Sequence, residues 1–226
     1  MNPLTNPLAN VKRFLLFNCF LVIIFFPDFC LGRDLSTVHM IGVRMGFWSA
    51  VEAKNIQASP GEEILSKVTA PYGEFHVSTG LKKGFALGFS LGSYYRGETR
   101  YHDPRGYYWK RVTIYPISAE LKFYPLSPIK KSKWQPYMDA GLGFVSGIEN
   151  LRFGEYHGPL LYSGSDTETY LTFGWHVGGG IEFNISRLFV IGADFKYRGV
   201  KFGDEVGGLK NYSGPEATLG LSYILK

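Results

Sequence analysis

The C-terminal stretch, Glu216 to Lys226, alternates strictly: Leu219, Leu221, Tyr223 and Leu225 fall on one face of an extended chain, Thr218, Gly220 and Ser222 on the other. A period of two marks a strand with one apolar and one polar face. Seven earlier segments carry the same signature: Thr37–Ala50, Glu74–Leu81, Phe85–Arg96, Arg111–Tyr124, Pro136–Ile148, Thr169–Asn184 and Leu188–Arg198. In each, large apolar side chains take every second position, and glycine, serine or a charged residue takes the alternate one. Pro116 lacks an N–H and predicts a bulge or ladder break in the first half of its segment.

Each segment is about the length of a tilted membrane-spanning strand, roughly 9–11 residues. Composition fits strands better than helices. Aromatics make up 16% of the 226 residues and there are 28 glycines, while the mean hydropathy of −0.04 is too polar for a helical membrane bundle. No apolar run reaches the roughly 20 residues a spanning helix needs.

Residues 1–32 read as an export signal. Lys12 and Arg13 precede the apolar run Phe14–Phe26, Pro27 breaks it, and Cys30-Leu31-Gly32 offers small residues for cleavage. Residues 33–226 then form one domain. Both cysteines, Cys19 and Cys30, lie in the leader, so the exported domain has neither a disulfide nor a cysteine nucleophile. The formal charge of +5 suits an anionic lipid surface. The one short basic run, Lys130-Lys131-Ser132-Lys133, stands without an aromatic RNA-binding motif, so no nucleic-acid partner is expected.

Connections alternate in length along the chain. Val51–Gly73, Gly97–Lys110, Glu149–Glu168 and Gly199–Pro215 are the longer ones, Gly97–Lys110 being of middle length, whereas Lys82–Gly84, Pro125–Gln135 and Ile185–Arg187 are shorter. Long and short connections thus fall at opposite ends of an up-and-down sheet. Ser59-Pro60-Gly61-Glu62 reads as a helix start, which predicts a helical turn or two over Glu62–Val68. Trp48, Tyr94, Tyr95, Tyr107, Tyr108, Trp109, Tyr124, Trp134, Tyr137, Tyr197 and Tyr223 lie near segment ends, as interfacial girdles would.

The polar face decides between a membrane barrel and a soluble barrel with an oily interior. It carries Arg44, Lys122, Lys196 and Arg198 against Glu120, Asp139, Glu182 and Asp194, with His76 and His176 among them. Balanced charge suits a dry, narrow lumen, where ions must pair. The many glycines on that face make room for long side chains. Lys or Arg facing lipid at mid-membrane would cost about 2–4 kcal/mol each. The fold expected is all-β: an eight-stranded antiparallel up-and-down transmembrane barrel with the apolar set outside and the charged set lumenal.

On these features the chain resembles the eight-stranded bacterial outer-membrane barrels of the OmpA, OmpX and OmpW kind. Thr218, Gly220, Tyr223 and Leu225 are similar to the C-terminal insertion signal of such barrels, although Lys226 follows where they end on an aromatic or apolar residue. The resemblance implies an outer-membrane location, insertion by the barrel assembly machinery, contact with outer-membrane lipids and lipopolysaccharide, and a monomer.

Lipid A deacylases of this class carry a His-x-Ser pair, and His76-Val77-Ser78 has that form. Its register faces the lumen, away from lipid, so a packing role is expected and no catalytic residue is assigned. His176 and Glu182 beside Asp139 or Asp194 are explained by lumenal ion pairing, and neither metal nor cofactor is expected. Arg100, His102, Arg105, Lys110, Lys201 and Lys210 lie in or beside the long connections, at the height of lipopolysaccharide phosphates. Eight strands enclose a lumen just wide enough for side chains. The expected role is a non-enzymatic one, structural or binding through the loops. The alternatives are a narrow conduit for small apolar molecules, as the OmpW resemblance would imply, and a lipid A hydrolase.

Overall fold

A computed structural model describes residues 38–52, 62–64, 69–81, 84–103, 106–125, 134–157, 160–186 and 188–225. The export-signal reading of residues 1–32 lies outside them. The strands are β1 (His39–Ser49), β2 (Glu62–Ile64), β3 (Thr69–Gly80), β4 (Phe85–Asp103), β5 (Gly106–Phe123), β6 (Trp134–His157), β7 (Leu160–Asn184), β8 (Phe189–Val206), β9 (Leu209–Asn211) and β10 (Gly214–Leu225). Eight of them form the antiparallel order β1-β3-β4-β5-β6-β7-β8-β10, and β10 pairs back onto β1. That final seam runs unbroken from His39 opposite Leu225 to Trp48 opposite Glu216. Closure leaves the spanning part of the sheet without an edge, which hydrocarbon requires.

The sheet is inside-out relative to a soluble barrel. Phe195 and Leu219 are 64% and 68% exposed, whereas Lys196 and Lys122 are 0% and 1% exposed. Met45, Phe47, Leu142, Phe144, Phe173, Trp175 and Val177 continue the exposed apolar belt. Such a continuous surface is untenable in water and suits acyl chains. The apolar face of each expected segment is the outer one.

Three of the expected long connections are mostly strand. β4 and β5 remain paired up to Asp103 opposite Gly106, and β6 and β7 up to His157 opposite Leu160. The connection 199–215 continues β8 to Val206 and returns as β9, with both residues of its turn, Gly207 and Gly208, at positive φ. Alternation fades in the far parts of β4 to β7 because neither face meets acyl chains there, whereas the β8–β9 hairpin keeps a buried apolar inner face. The helical turn expected from Glu62 is also corrected: Glu62–Ile64 is a short strand paired with Thr99–Tyr101 of β4.

Around Pro116 the β4–β5 pairing skips from Leu91–Ile117 to Tyr94–Ile114, with the register unchanged. The shift in register comes higher, between Tyr95 and Gly97. Gly97 has φ 126, a conformation L side chains avoid. Arg96 faces inward by the same alternation as Tyr94, and the one extra residue there turns Glu98 and Arg100 outward.

The girdle expectation holds for only part of its residues. Tyr95, Trp134, Tyr197 and Tyr223 face outward, but Trp48, Tyr94, Tyr124 and Tyr137 are buried inside. Each of these four shares the parity of a lumenal residue, Trp48 that of Arg44 and Tyr137 that of Asp139, so they had to point in. At the end with the short connections the outer aromatics instead form pairs that include phenylalanine: Phe85–Phe123, Trp134–Phe183 and Phe189–Tyr223, with centroids 4.9, 4.5 and 5.4 Å apart.

Candidate functional site

The lumen holds all ten charged and histidine residues expected on the polar face, each of them buried. Near the short connections Lys122 Nζ lies 3.3 Å from Glu182 Oε1 and 4.4 Å from the centre of the Tyr137 ring. The Tyr124 hydroxyl donates to the same carboxylate at 3.1 Å, and the Tyr137 hydroxyl donates to Asp194. In the middle, Lys196 Nζ sits 3.1 Å from Asp139 Oδ2 and 3.4 Å from Glu120 Oε1. Arg44 reaches Asp194 at 3.2 Å and Glu74 at 2.7 Å.

Above them Arg198 lies 2.9 Å from Glu74 and also pairs with Glu216. The Tyr72 hydroxyl donates to Glu74 at 2.6 Å. Glu74, Glu216 and Tyr72 are additions to the expected network. Their parity gives them away: Tyr72 and Glu74 precede His76 by four and two positions, and Glu216 precedes Thr218 by two. With the additions this network has, among the described residues, six carboxylates around four cations. Interlocking of this kind suits a rigid plug, since each ion taken from water needs a partner.

Glycines set the space for these side chains. A Cβ at Gly220 would lie 2.7 Å from Arg44 Cγ, one at Gly141 2.4 Å from His176 Cε1, and one at Gly92 2.3 Å from the Tyr72 hydroxyl.

His76 Nε2 meets Ser222 Oγ at 3.0 Å, across the closing seam. His76, Ser78 and Ser222 are all buried in the lumen, where an acyl chain outside the wall has no access to them. Glu120, Asp139 and His176 bring one ligand atom each to within 4.8 Å of one another. The ammonium of Lys196 stands between the two carboxylates and supplies the positive charge there. The gathering differs from the sets anticipated around Glu182 and Asp194.

Beyond the charges an apolar cluster closes the interior. Trp48, Tyr94, Val112, Ile114, Val145, Val200, Phe202, Val206, Leu209 and Tyr212 belong to it. The β8–β9 hairpin and the residue after it supply five of these. Arg96 holds the hairpin, donating to Gly207 O at 2.5 Å and to the Tyr212 hydroxyl at 3.0 Å. Glu149 accepts from Gly207 N at 2.6 Å and pairs with Lys110 at 2.5 Å.

Outside the ring, β4 to β7 stand as a curtain of paired strands. β7 pairs with β8 only from Gly174 to Asn184, while its pairing with β6 continues to Leu160. β8 leaves it above Val200 to pair with β9. Among the described residues, the other edge of β7 over 163–171 has no strand beside it. Of the expected outer cations, Arg100 and Lys110 lie on the curtain, and Lys201 and Lys210 are exposed on the β8–β9 hairpin. Arg105 lies outside the described residues, as does the His102 side chain.

No protein-family model matches the chain, and no curated protein matches it. Among solved structures, it is similar to a major outer membrane protein from Thermus thermophilus, with TM-score 0.51 and 9% identity over 84% of this chain and 100% of that one. Ail of Yersinia pestis gives TM-score 0.45 and 15% identity over 84% and 97% of the two chains. Neisserial surface protein A gives 0.44 and 15% over 83% and 95%. At such identities the likeness is one of fold, and the fold is that of the small eight-stranded outer-membrane β-barrels.

Proposed function

We propose that this chain is a bacterial outer-membrane protein whose barrel is a closed, non-enzymatic anchor, and whose β4–β7 curtain binds an extended segment of another protein from the headgroup layer of the outer leaflet outward. The observation that carries the reading is the open edge of β7 over 163–171. An unpaired strand edge is a template for a further strand. Protein edges are normally blunted by Lys, Pro or a bulge, and this stretch contains no Lys and no Pro and pairs with β6 without a bulge.

The edge carries Asp166 and Glu168. A second copy pairing antiparallel about Thr167 would set Asp166 opposite Glu168 twice, and like charges directly opposite destabilise a sheet. The fitting occupant is a strand of a different protein with Lys or Arg at alternate positions. The packed lumen and its apolar cap support an anchor over a conduit. The burial of His76 and Ser78 supports binding over lipid hydrolysis.

Cell fractionation with an unheated-versus-boiled gel shift tests the location: the protein should sit in the outer membrane and migrate differently after boiling. A synthetic peptide alternating Lys and Val tests the edge. It should bind the folded protein and lose at least tenfold in affinity to the Asp166→Lys, Glu168→Lys variant. A soluble chain without a gel shift overturns the membrane reading, and equal binding to the variant overturns the edge reading.

A further inference from the structure

The outer surface of the curtain, just above the apolar belt, carries two rungs of side chains in register. One rung runs Glu98, Arg111, Asn150, Thr167 across β4 to β7, and the next runs Arg100, Trp109, Arg152, Ser165. The rung immediately below is Tyr95, Thr113, Ile148, Thr169, where the belt ends. Trp109 is the centre of the group. The guanidinium carbons of Arg111, Arg152 and Arg100 lie 4.8, 5.2 and 5.9 Å from its ring centroid. A cleft of about 270 Å³ opens here, lined by Trp109, Arg111, Asn150, Arg152, Ser165 and Thr167, together with Leu151 and Asp166.

We propose that this cleft binds the phosphate of a lipid headgroup in the outer leaflet. The inference rests on the outer-membrane reading above and gives that membrane a specific contact. Three lines of chemistry converge on it. Arginine presents a planar fork that matches phosphate oxygens, and stacking on an indole holds the fork in place while its N–H edges stay free to donate. The Asn150 amide and the Ser165 hydroxyl add neutral donors, and the Thr167 hydroxyl orients that amide by donating to Asn150 Oδ1 at 3.0 Å. The site also lies on the lipid side of the wall, one rung above the last apolar residues, where a headgroup stands.

The opposing charges are part of the site. Glu98 holds Arg111 at 2.9 Å and Arg100 at 3.0 Å, so three guanidiniums share one carboxylate on this face, while Asp166, at the border of the cleft, accepts from Thr167 N. Arg152 and the outer edge of Arg111 are therefore the pair that takes the anion. The register shift at Arg96–Gly97 builds the arrangement. Without it Glu98 and Arg100 would point into the barrel and Trp109 would lose one of its three arginines.

The test uses the full chain refolded into lipid nanodiscs, with bisphosphorylated lipid A as probe and its dephosphorylated form as control. The Arg111→Gln, Arg152→Gln variant should retain at least tenfold less phosphorylated lipid A than the wild type, and Arg111→Lys, Arg152→Lys should restore part of the loss. The dephosphorylated lipid should bind wild type and variant alike, and inorganic phosphate in excess should leave the lipid in place. Equal retention by the glutamine variant overturns the site. Wild-type preference for the dephosphorylated form does so too, and displacement by inorganic phosphate makes it a free-anion site and overturns the headgroup assignment. The gel shift on boiling is read alongside: a variant that keeps it is a folded barrel, so a lost lipid is charged to the cleft. A wild type that fails to insert overturns the outer-membrane reading itself.

Discussion

Arg44 and Glu74 face each other across β1 and β3 at 2.7 Å, with side chains 3% and 0% exposed. Arg44 also serves Asp194 at 3.2 Å, and Glu74 also serves Arg198 at 2.9 Å. The two residues therefore link the middle of the lumen to its upper part. Arg44→Met leaves Asp194 with only the Tyr137 hydroxyl and Glu74 with only Arg198 and Tyr72 in a dry interior. Removing one member of a buried pair costs about 3–5 kcal/mol. The expected outcome is a loss of that size in urea unfolding from lipid vesicles. The double variant Arg44→Met, Glu74→Gln should recover part of it, because fewer carboxylates are then stranded.

Arg96 ties the β8–β9 hairpin to the wall through Val206 O, Gly207 O and the Tyr212 hydroxyl. Arg96→Ala removes these bonds and leaves Gly207 O without its side-chain donor, at about 1–3 kcal/mol, while Val206 O keeps the Tyr212 hydroxyl. Amide exchange at 206–212 should quicken by roughly tenfold or more, since local opening sets exchange. The closing β1–β10 seam should keep its protection. Protection unchanged at Val206 and Leu209 would mean that their apolar contacts and the bond from Gly207 N to Glu149 hold the hairpin without Arg96.

The seam and the lumen could be read from the sequence because one face of each spanning strand touches lipid and the other touches packed ions. That contrast writes itself as a period of two. Leu219 and Lys196 are assigned to opposite faces by parity alone, and the same parity, followed two residues further, would have found Glu74, Glu216 and Trp48. The curtain could not be read this way. Ser163 to Thr169 is wet on both faces, so nothing in its composition separates a strand from a loop. The register shift at Arg96–Gly97 was hidden for a related reason: it depends on pairing with β5, and only the glycine marks it.

Gly97, at φ 126, should resist substitution. A β-branched side chain in that region costs about 1–3 kcal/mol. Gly97→Val is expected to relieve the strain by losing the shift, which moves Glu98 and Arg100 off the outer face. The readout is a cysteine at position 100, labelled from the aqueous side with and without Gly97→Val. Labelling should fall severalfold when the shift is lost. Labelling that stays the same would show that pairing with Trp109 fixes the register without the glycine.

Glu98 offers a titration that reports on the cleft. Burial pushes its carboxyl up, but hydrogen bonds from Tyr95, Arg100 and Arg111 outweigh this and bring it down to about 2, from an ordinary 4.5. A depressed acid stabilises the fold above its unfolded pKa and loses that contribution as pH falls through the folded one. The clamp on Arg111 should thus be complete above pH 4.5 and fail as pH drops toward about 2. Its partners are well exposed, Arg100 at 57% and Arg111 at 46% of the side chain, so solvent screens the pair and the effect on global stability is small. The measurement is the carboxyl carbon shift of Glu98 in the refolded protein, followed from neutral pH down through the acid range. Arg111→Gln removes one of these donors together with its charge and should move the midpoint up toward 4.5. A wild-type midpoint already at 4.5 would mean that Glu98 does not hold the arginines, and that Trp109 alone positions them.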